Sequence, residues 1–176
     1  MTENHFLIGA VLVAFLGGAS DVRSARIPNW LTYGGLLLAL VLRLAGLGWA
    51  GFRSGVVGML VAGVIFCLLF AIGAMGGGDV KLIASVGAWA GNDHVIPVLI
   101  AAALAGGLLA VIYILFGQGL RQTFWNILDL IRFRLTSGLN PHPLLNVQQK
   151  GTLRVPFGVA IAMGTLFCAG NAIWWR

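Results

Sequence analysis

Two aspartates are the residues of this chain best placed to do chemistry together. Asp79 follows Gly76-Gly77-Gly78 and precedes Val80-Lys81, between two strongly apolar runs, and Asp21 closes an earlier apolar run. Two carboxylates held close together cannot both ionise easily, so one keeps a proton while the other acts as a general base. Such a dyad activates water and protonates a peptide leaving group without help from a metal or cofactor, and neither is expected here. Plainer readings stand beside this one. Asp79 would then be a loop acid capping the helix after it, and Asp21 a solvated end residue paired with Arg23. Lys81 is a candidate electrostatic neighbour that favours the ionised form of Asp79 if its ammonium comes close; otherwise it is an ordinary loop lysine. Cys67 and Cys168 both lie inside apolar runs, which indicates neither a zinc site nor a disulfide framework.

Whether the two aspartates meet depends on the elements that carry them. The chain has 176 residues, of which 59% are hydrophobic and only 9% charged, with a mean hydropathy of +0.95. Soluble domains carry roughly 25% charged residues, so lipid must be the solvent for most of this surface. The 26 glycines fit that setting, because small residues let membrane helices approach closely. The net charge of +6 is accounted for by basic residues in cytoplasmic loops, and no nucleic-acid partner is expected. The first apolar stretch lacks a basic leading region and comes after Glu3, so it reads as a retained helix and not a signal peptide.

Apolar runs occur at about 5–21, 30–50, 55–75, 79–91, 95–116 and 155–174. A spanning helix needs ~20 residues, which makes the first run slightly short and the fourth too short unless it is extended. The expectation is an all-α polytopic bundle of about six transmembrane helices forming one domain over 1–176. Asp21 ends the first run and Asp79 begins the fourth, so the chain crosses twice between them and both lie on one face of the membrane. Arg23, Arg26, Lys81, Arg121, Arg132, Arg134, Lys150 and Arg154 fall in the odd loops, against Arg43, Arg53 and Arg176 on the other side. The positive-inside rule then makes the aspartate face cytoplasmic and leaves both termini outside. Within the long loop over 117–154, Leu120, Phe124, Ile127, Leu128, Ile131 and Leu135 recur at helical spacing opposite Arg121, Gln122, Asp129 and Arg132. That pattern predicts an amphipathic helix lying in the cytoplasmic interface, ended by Asn140-Pro141-His142-Pro143.

These residues resemble the type IV prepilin peptidases, polytopic aspartic proteases recognised by a GxGD motif. Gly76-Gly77-Gly78-Asp79 fits the motif, and Val80-Lys81 is its typical continuation. Asp21-Val22-Arg23-Ser24-Ala25-Arg26-Ile27-Pro28-Asn29 looks like the first catalytic segment of that family, and Pro156-Phe157-Gly158 is similar to a third signature. The resemblance implies Asp21 and Asp79 as the catalytic pair, with Gly76 and Gly78 shaping the turn that presents Asp79. It also implies removal of leader peptides from pilin-like precursors at the cytoplasmic side of a bacterial inner membrane. The substrate would present a basic leader to the cytoplasm and a hydrophobic helix to the bilayer. Larger members carry an insertion in the first loop, often with paired cysteines, and also N-methylate the product. Here that loop is short and has no cysteine, so methyl transfer is expected to be absent, as in the forms that serve tight-adherence (Flp-type) pili.

The competing reading is a small ion or proton-coupled transporter that uses the same two acids. Intramembrane carboxylates serve transport sites, and a glycine-broken helix suits them. Transporters often show internal repeats, and none is evident here.

Overall fold

The computed structural model describes residues 3–71, 75–116 and 156–174. They form four helical elements: α1 (Glu3–Ser24), α2 (Asn29–Ala71), α3 (Gly77–Phe116) and α4 (Phe157–Trp174). No strand occurs among the described residues. This all-helical outcome arises from the composition, since a backbone surrounded by lipid must satisfy its own polar groups. Three of the helices are long and apolar enough to cross a membrane, and the apolar stretch of α4 is shorter. The expected amphipathic segment over 117–154 lies outside the described residues.

The two longest elements are not straight. Gly48 interrupts α2 with φ 63°, ψ −155°, and Gly91 interrupts α3 with φ 69°, ψ −175°. Positive φ combined with an extended ψ is a backbone region essentially confined to glycine. The contacts show what the interruptions do. A Cβ on Gly55 would lie 2.8 Å from Arg43 Cδ and 3.1 Å from Leu40 Cδ2, whereas a straight helix separates residues 40 and 55 by roughly 22 Å. The second arm of α2 therefore folds back along the first. In α3, Leu82 packs at the level of Gly17 and Trp89 at the level of Gly9, so residues 77–90 rise along α1. Gly106 then meets the Phe157 ring, next to where Gly158 meets Gly18. The chain has returned to its starting level, so α3 also reverses.

The apolar runs end at about 50 and 91, and the breaks fall at or close to those ends, at Gly48 and Gly91. Positive φ at a tight reversal favours glycine, while Arg53-Ser54 and Asn92-Asp93-His94 are helical.

The arm over 77–90 occupies the centre of the bundle. From Leu82 to Ala90 all of its residues are buried except Ala84. Leu82, Ile83, Val86 and Trp89 pack with Leu7, Ala10, Val13 and Ala14 of α1, Ala39, Ala62 and Phe66 of α2, and Ile161 of α4. At ~1.5 Å per residue the arm is about 21 Å long. Its shortness matters less here, because its neighbours are mostly protein and not lipid. The second arm of α2 comes so near that Gly58 and Gly87 face each other's backbone carbonyls, the close approach that small residues allow in membrane bundles. The outer surface stays apolar, with Leu12, Phe15, Leu38, Val41, Leu68 and Leu104 all exposed. Trp30 and Trp49 are 75% and 64% exposed at opposite ends of the first arm of α2. Their separation of about 28 Å along the helix matches a hydrocarbon core of ~30 Å with aromatic residues at both interfaces.

Arg43, counted with the basic residues on the side opposite the aspartates, lies inside the first arm of α2 and is 0% exposed. Its guanidinium bonds Glu3 Oε2 at 2.9 Å, the Trp89 carbonyl at 2.8 Å and Ser54 Oγ at 3.4 Å, and it lies 4.8 Å from the centre of the Phe6 ring. Ser54 Oγ also accepts the Asn92 amide at 3.0 Å. Backbone groups left without helical partners around Gly91 are thus taken up by side chains of α2. The Arg43 Nε is buried without a partner among the described residues.

Candidate active site

Asp79 is the third residue of α3, and Gly76 precedes the helix. The Gly76 amide donates to Asp79 Oδ2 at 3.2 Å, while the Asp79 amide donates to the Gly76 carbonyl at 3.1 Å. This is the back-reaching half of a capping box, in which an acid at the third helical position satisfies the amide before the helix. The capping role expected for Asp79 is therefore present. It is compatible with a chemical role, because it fixes the rotamer through one carboxylate oxygen. Among the described residues the glycines in the left-handed region are Gly48 and Gly91, so Gly77 and Gly78 do not serve through an unusual φ. A Cβ on Gly78 would lie 3.5 Å from Ile27, and one on Gly77 would lie 3.6 Å from Phe70. Both are ordinary van der Waals separations, so the start of α3 lies near the first loop and α2 without needing glycine at either position.

Asp21 lies one turn before the end of α1. Its carbonyl accepts the Ala25 amide at 2.8 Å, and Ala25 takes the left-handed conformation with φ 50°, the usual ending of a helix but here without glycine. Ser20 Oγ and Ser24 Oγ both donate to the Arg26 carbonyl, at 2.8 Å and 3.1 Å. Two hydroxyls thus fold the loop back under the Asp21 turn. The Asp21 carboxylate itself points to α4, where its Oδ2 accepts the Gly158 amide at 3.0 Å.

The segments bearing the two aspartates lie at one end of the bundle and are tied together. Ile27 packs on Gly78. Lys81 Nζ donates to Asn29 Oδ1 at 3.1 Å and lies 5.3 Å from the centre of the Tyr33 ring. Both anchors of Lys81 belong to the start of α2, so the residue acts as a clasp between that start and α3. Asp21 and Asp79 are each partly buried. Each has a carboxylate oxygen held by a backbone amide at the start of a helix.

The partners of this site are not foreseeable from the sequence. Tyr33 carries no signal of its own, and Asn29 and Gly158 stand out only as parts of motifs. Arg43 does carry one, as a lone charge within an apolar run.

Comparison with known proteins adds a family. Residues 7–111, which include both aspartates, match the type IV leader peptidase family. A prepilin leader peptidase/N-methyltransferase of Neisseria gonorrhoeae is 34% identical over 126 residues, covering 66% of this chain and 43% of the relative. The corresponding protein of Xanthomonas campestris is 32% identical over 117 residues, covering 62% and 40%. That of Burkholderia pseudomallei is 33% identical over 119 residues, covering 59% and 38%. The match thus spans about two fifths of the length of these curated relatives. No solved structure matches the chain.

Proposed function

The chain belongs to the type IV leader peptidase family, and on that premise we propose that it is a membrane aspartic endopeptidase acting on prepilin-like precursors. Asp21 and Asp79 are the catalytic pair in this reading, and the whole chain forms one peptidase domain of six membrane crossings. The observation that carries it is the location of both acids at one end of the bundle, each oriented by a helix-start amide. The six crossings are supported by the reversals at Gly48 and Gly91.

In the proposed reaction one carboxylate takes a proton from water as the water oxygen attacks the scissile carbonyl carbon. The other, protonated, gives its proton to the carbonyl oxygen, and a neutral diol results. The diol collapses as the C–N bond breaks. The departing nitrogen takes the proton held by the first aspartate, and one diol hydroxyl returns a proton to the second. The pair ends with the single proton it began with. The substrate is a precursor with a basic leader and a hydrophobic helix, cut at the cytoplasmic face of the inner membrane. That placement rests on Arg23, Arg26 and Lys81 at the aspartate end, and it puts the N-terminus on the periplasmic side.

We further propose peptidase activity without methyl transfer. Only residues 25–28 separate α1 from α2, which leaves no room for an inserted domain there.

The test is cleavage of a co-expressed prepilin-like precursor in membranes, with the new N-terminus read by mass spectrometry. Asp21→Asn and Asp79→Asn should each abolish cleavage at unchanged protein level, and the wild-type product should be unmethylated. Cleavage that survives in either variant would remove the dyad. Ion flux through wild-type vesicles, lost in the same variants and without any cleavage, would favour a transporter.

A further inference from the structure

The donor that fixes Asp21 belongs to α4, 137 residues away in sequence. Gly158 is the second residue of α4, so its amide is among those a helix start leaves without an internal partner. The helix opens at Pro156, whose carbonyl accepts the Val159 amide at 3.1 Å, and a proline in front of that turn needs no donor of its own. The ring of Phe157 packs on Phe66 with centroids 5.9 Å apart and against Gly106, which sets the rotation of α4 about its axis.

The amide reaches the carboxylate because both positions at the crossing are glycine. A Cβ on Gly158 would lie 3.0 Å from Asp21 Cβ, 3.1 Å from Asp21 Oδ2 and 3.2 Å from Gly18 Cα, while one on Gly18 would lie 2.9 Å from the Gly158 carbonyl. Asp79 is held in the same manner by Gly76, so each carboxylate is oriented by one amide from a helix start. The difference is that Asp79 is held by its own helix, and Asp21 by a separate one.

We infer that the first turn of α4 is a positioning device for cleavage, with Gly158 as the positioning residue that orients Asp21. This rests on the reading of Asp21 as catalytic. Pro156-Phe157-Gly158 lies outside residues 7–111 but is similar to a family signature, and the role assigned to Gly158 rests on its contacts with Asp21 and Gly18. Its consequence is that the angle of α4 against α1 governs turnover and leaves substrate binding alone.

Gly158→Ala and Gly164→Ala separate this role from simple packing. Gly164 is another close-packed glycine of α4, set against the Ala101–Ala102 backbone of α3 and away from Asp21. Both variants are measured as purified full chains in detergent on a precursor that wild type cuts, with rates expressed per folded molecule. Gly158→Ala should lower kcat at least tenfold at unchanged KM. Gly164→Ala should lower the melting temperature yet keep kcat within twofold of wild type. In the 15N-labelled protein, Asp21→Ala should move the Gly158 amide resonance and speed its exchange. Equal kcat losses in the two glycine variants, full activity in Gly158→Ala, or an unmoved amide would each overturn the positioning role. If wild type leaves every precursor uncut, the peptidase reading falls and the positioning role with it. If wild type cuts and Gly158→Ala cuts as well, the positioning role alone falls.

Discussion

Ala25 takes a conformation that favours glycine, directly after the helix that carries Asp21. The strain of a left-handed non-glycine residue is roughly 1–3 kcal/mol. Ala25→Gly should recover part of it, raising stability by about 1 kcal/mol less the extra freedom of the unfolded chain, as read from thermal unfolding in micelles. The two aspartates call for a subtler substitution. An Asn at 79 still offers an oxygen to the Gly76 amide, so Asp79→Asn should leave stability nearly unchanged while cleavage falls by about 10²–10⁴-fold. Asp79→Ala loses the cap as well, at about 1 kcal/mol. Comparing the two variants separates the chemical role from the capping role. For the Lys81 clasp, Lys81→Met should lower cleavage about tenfold, a change of ~1.4 kcal/mol in the barrier. If Lys81→Arg restores most of that loss, the contact with Asn29 is what matters.

At the scale of the element, the two reversals are where α2 and α3 are most exposed to damage. Gly48 has open space around it, so Gly48→Ala adds only the backbone strain, on the order of 1–3 kcal/mol. Gly91 has a similar φ, but a Cβ there would run into the Arg43 guanidinium and Ser54. Gly91→Ala should therefore destabilise the protein clearly more than Gly48→Ala, as measured by melting temperature in the same detergent. Equal losses would mean that the surroundings of Gly91 yield. This pair also shows how much of the fold is legible in the residues. Every described helix corresponds to an apolar run, because lipid solvation leaves a strong compositional trace. The ends of the runs fall at or close to the reversals, but nothing in the residues singles out Gly48 and Gly91 among the 26 glycines as those at positive φ.

For the molecule as a whole, polarity is sorted between two ends. The aspartates, Lys81 and the serine-stitched loop occupy one end, and the Arg43–Glu3 pair the other. Removing one partner of a buried pair leaves an uncompensated charge and costs on the order of 3–5 kcal/mol. Glu3→Ala should lower stability by that order, although Glu3 lies almost at the chain start, where substitutions are usually mild. A melting temperature unchanged in Glu3→Ala would show that Arg43 is held by Trp89 and Ser54 alone. The proposed orientation has its own test. With a membrane-impermeant thiol reagent and Cys67 and Cys168 replaced by alanine, Asp93→Cys should react in intact cells. Ser24→Cys should react only after the inner membrane is opened. The reverse pattern would place the aspartate end outside.

Composition, crossing parity and short motifs already point to a helical membrane protein, to Asp21 and Asp79 at one end of it, and to the family it resembles. Those conclusions rest on properties additive along the chain: hydropathy, the parity of crossings and short local motifs. The packed fold alone sets what holds Asp21 and what fills the middle. The helix least able to span a membrane became the buried centre because its neighbours, not lipid, cover it. Arg43, a lone charge within an apolar run, pairs with Glu3 in the interior, and Gly158 is the partner of Asp21. Each of these depends on a contact between residues far apart in sequence. No local pattern records such a contact, because it costs or contributes free energy only once the helices have packed.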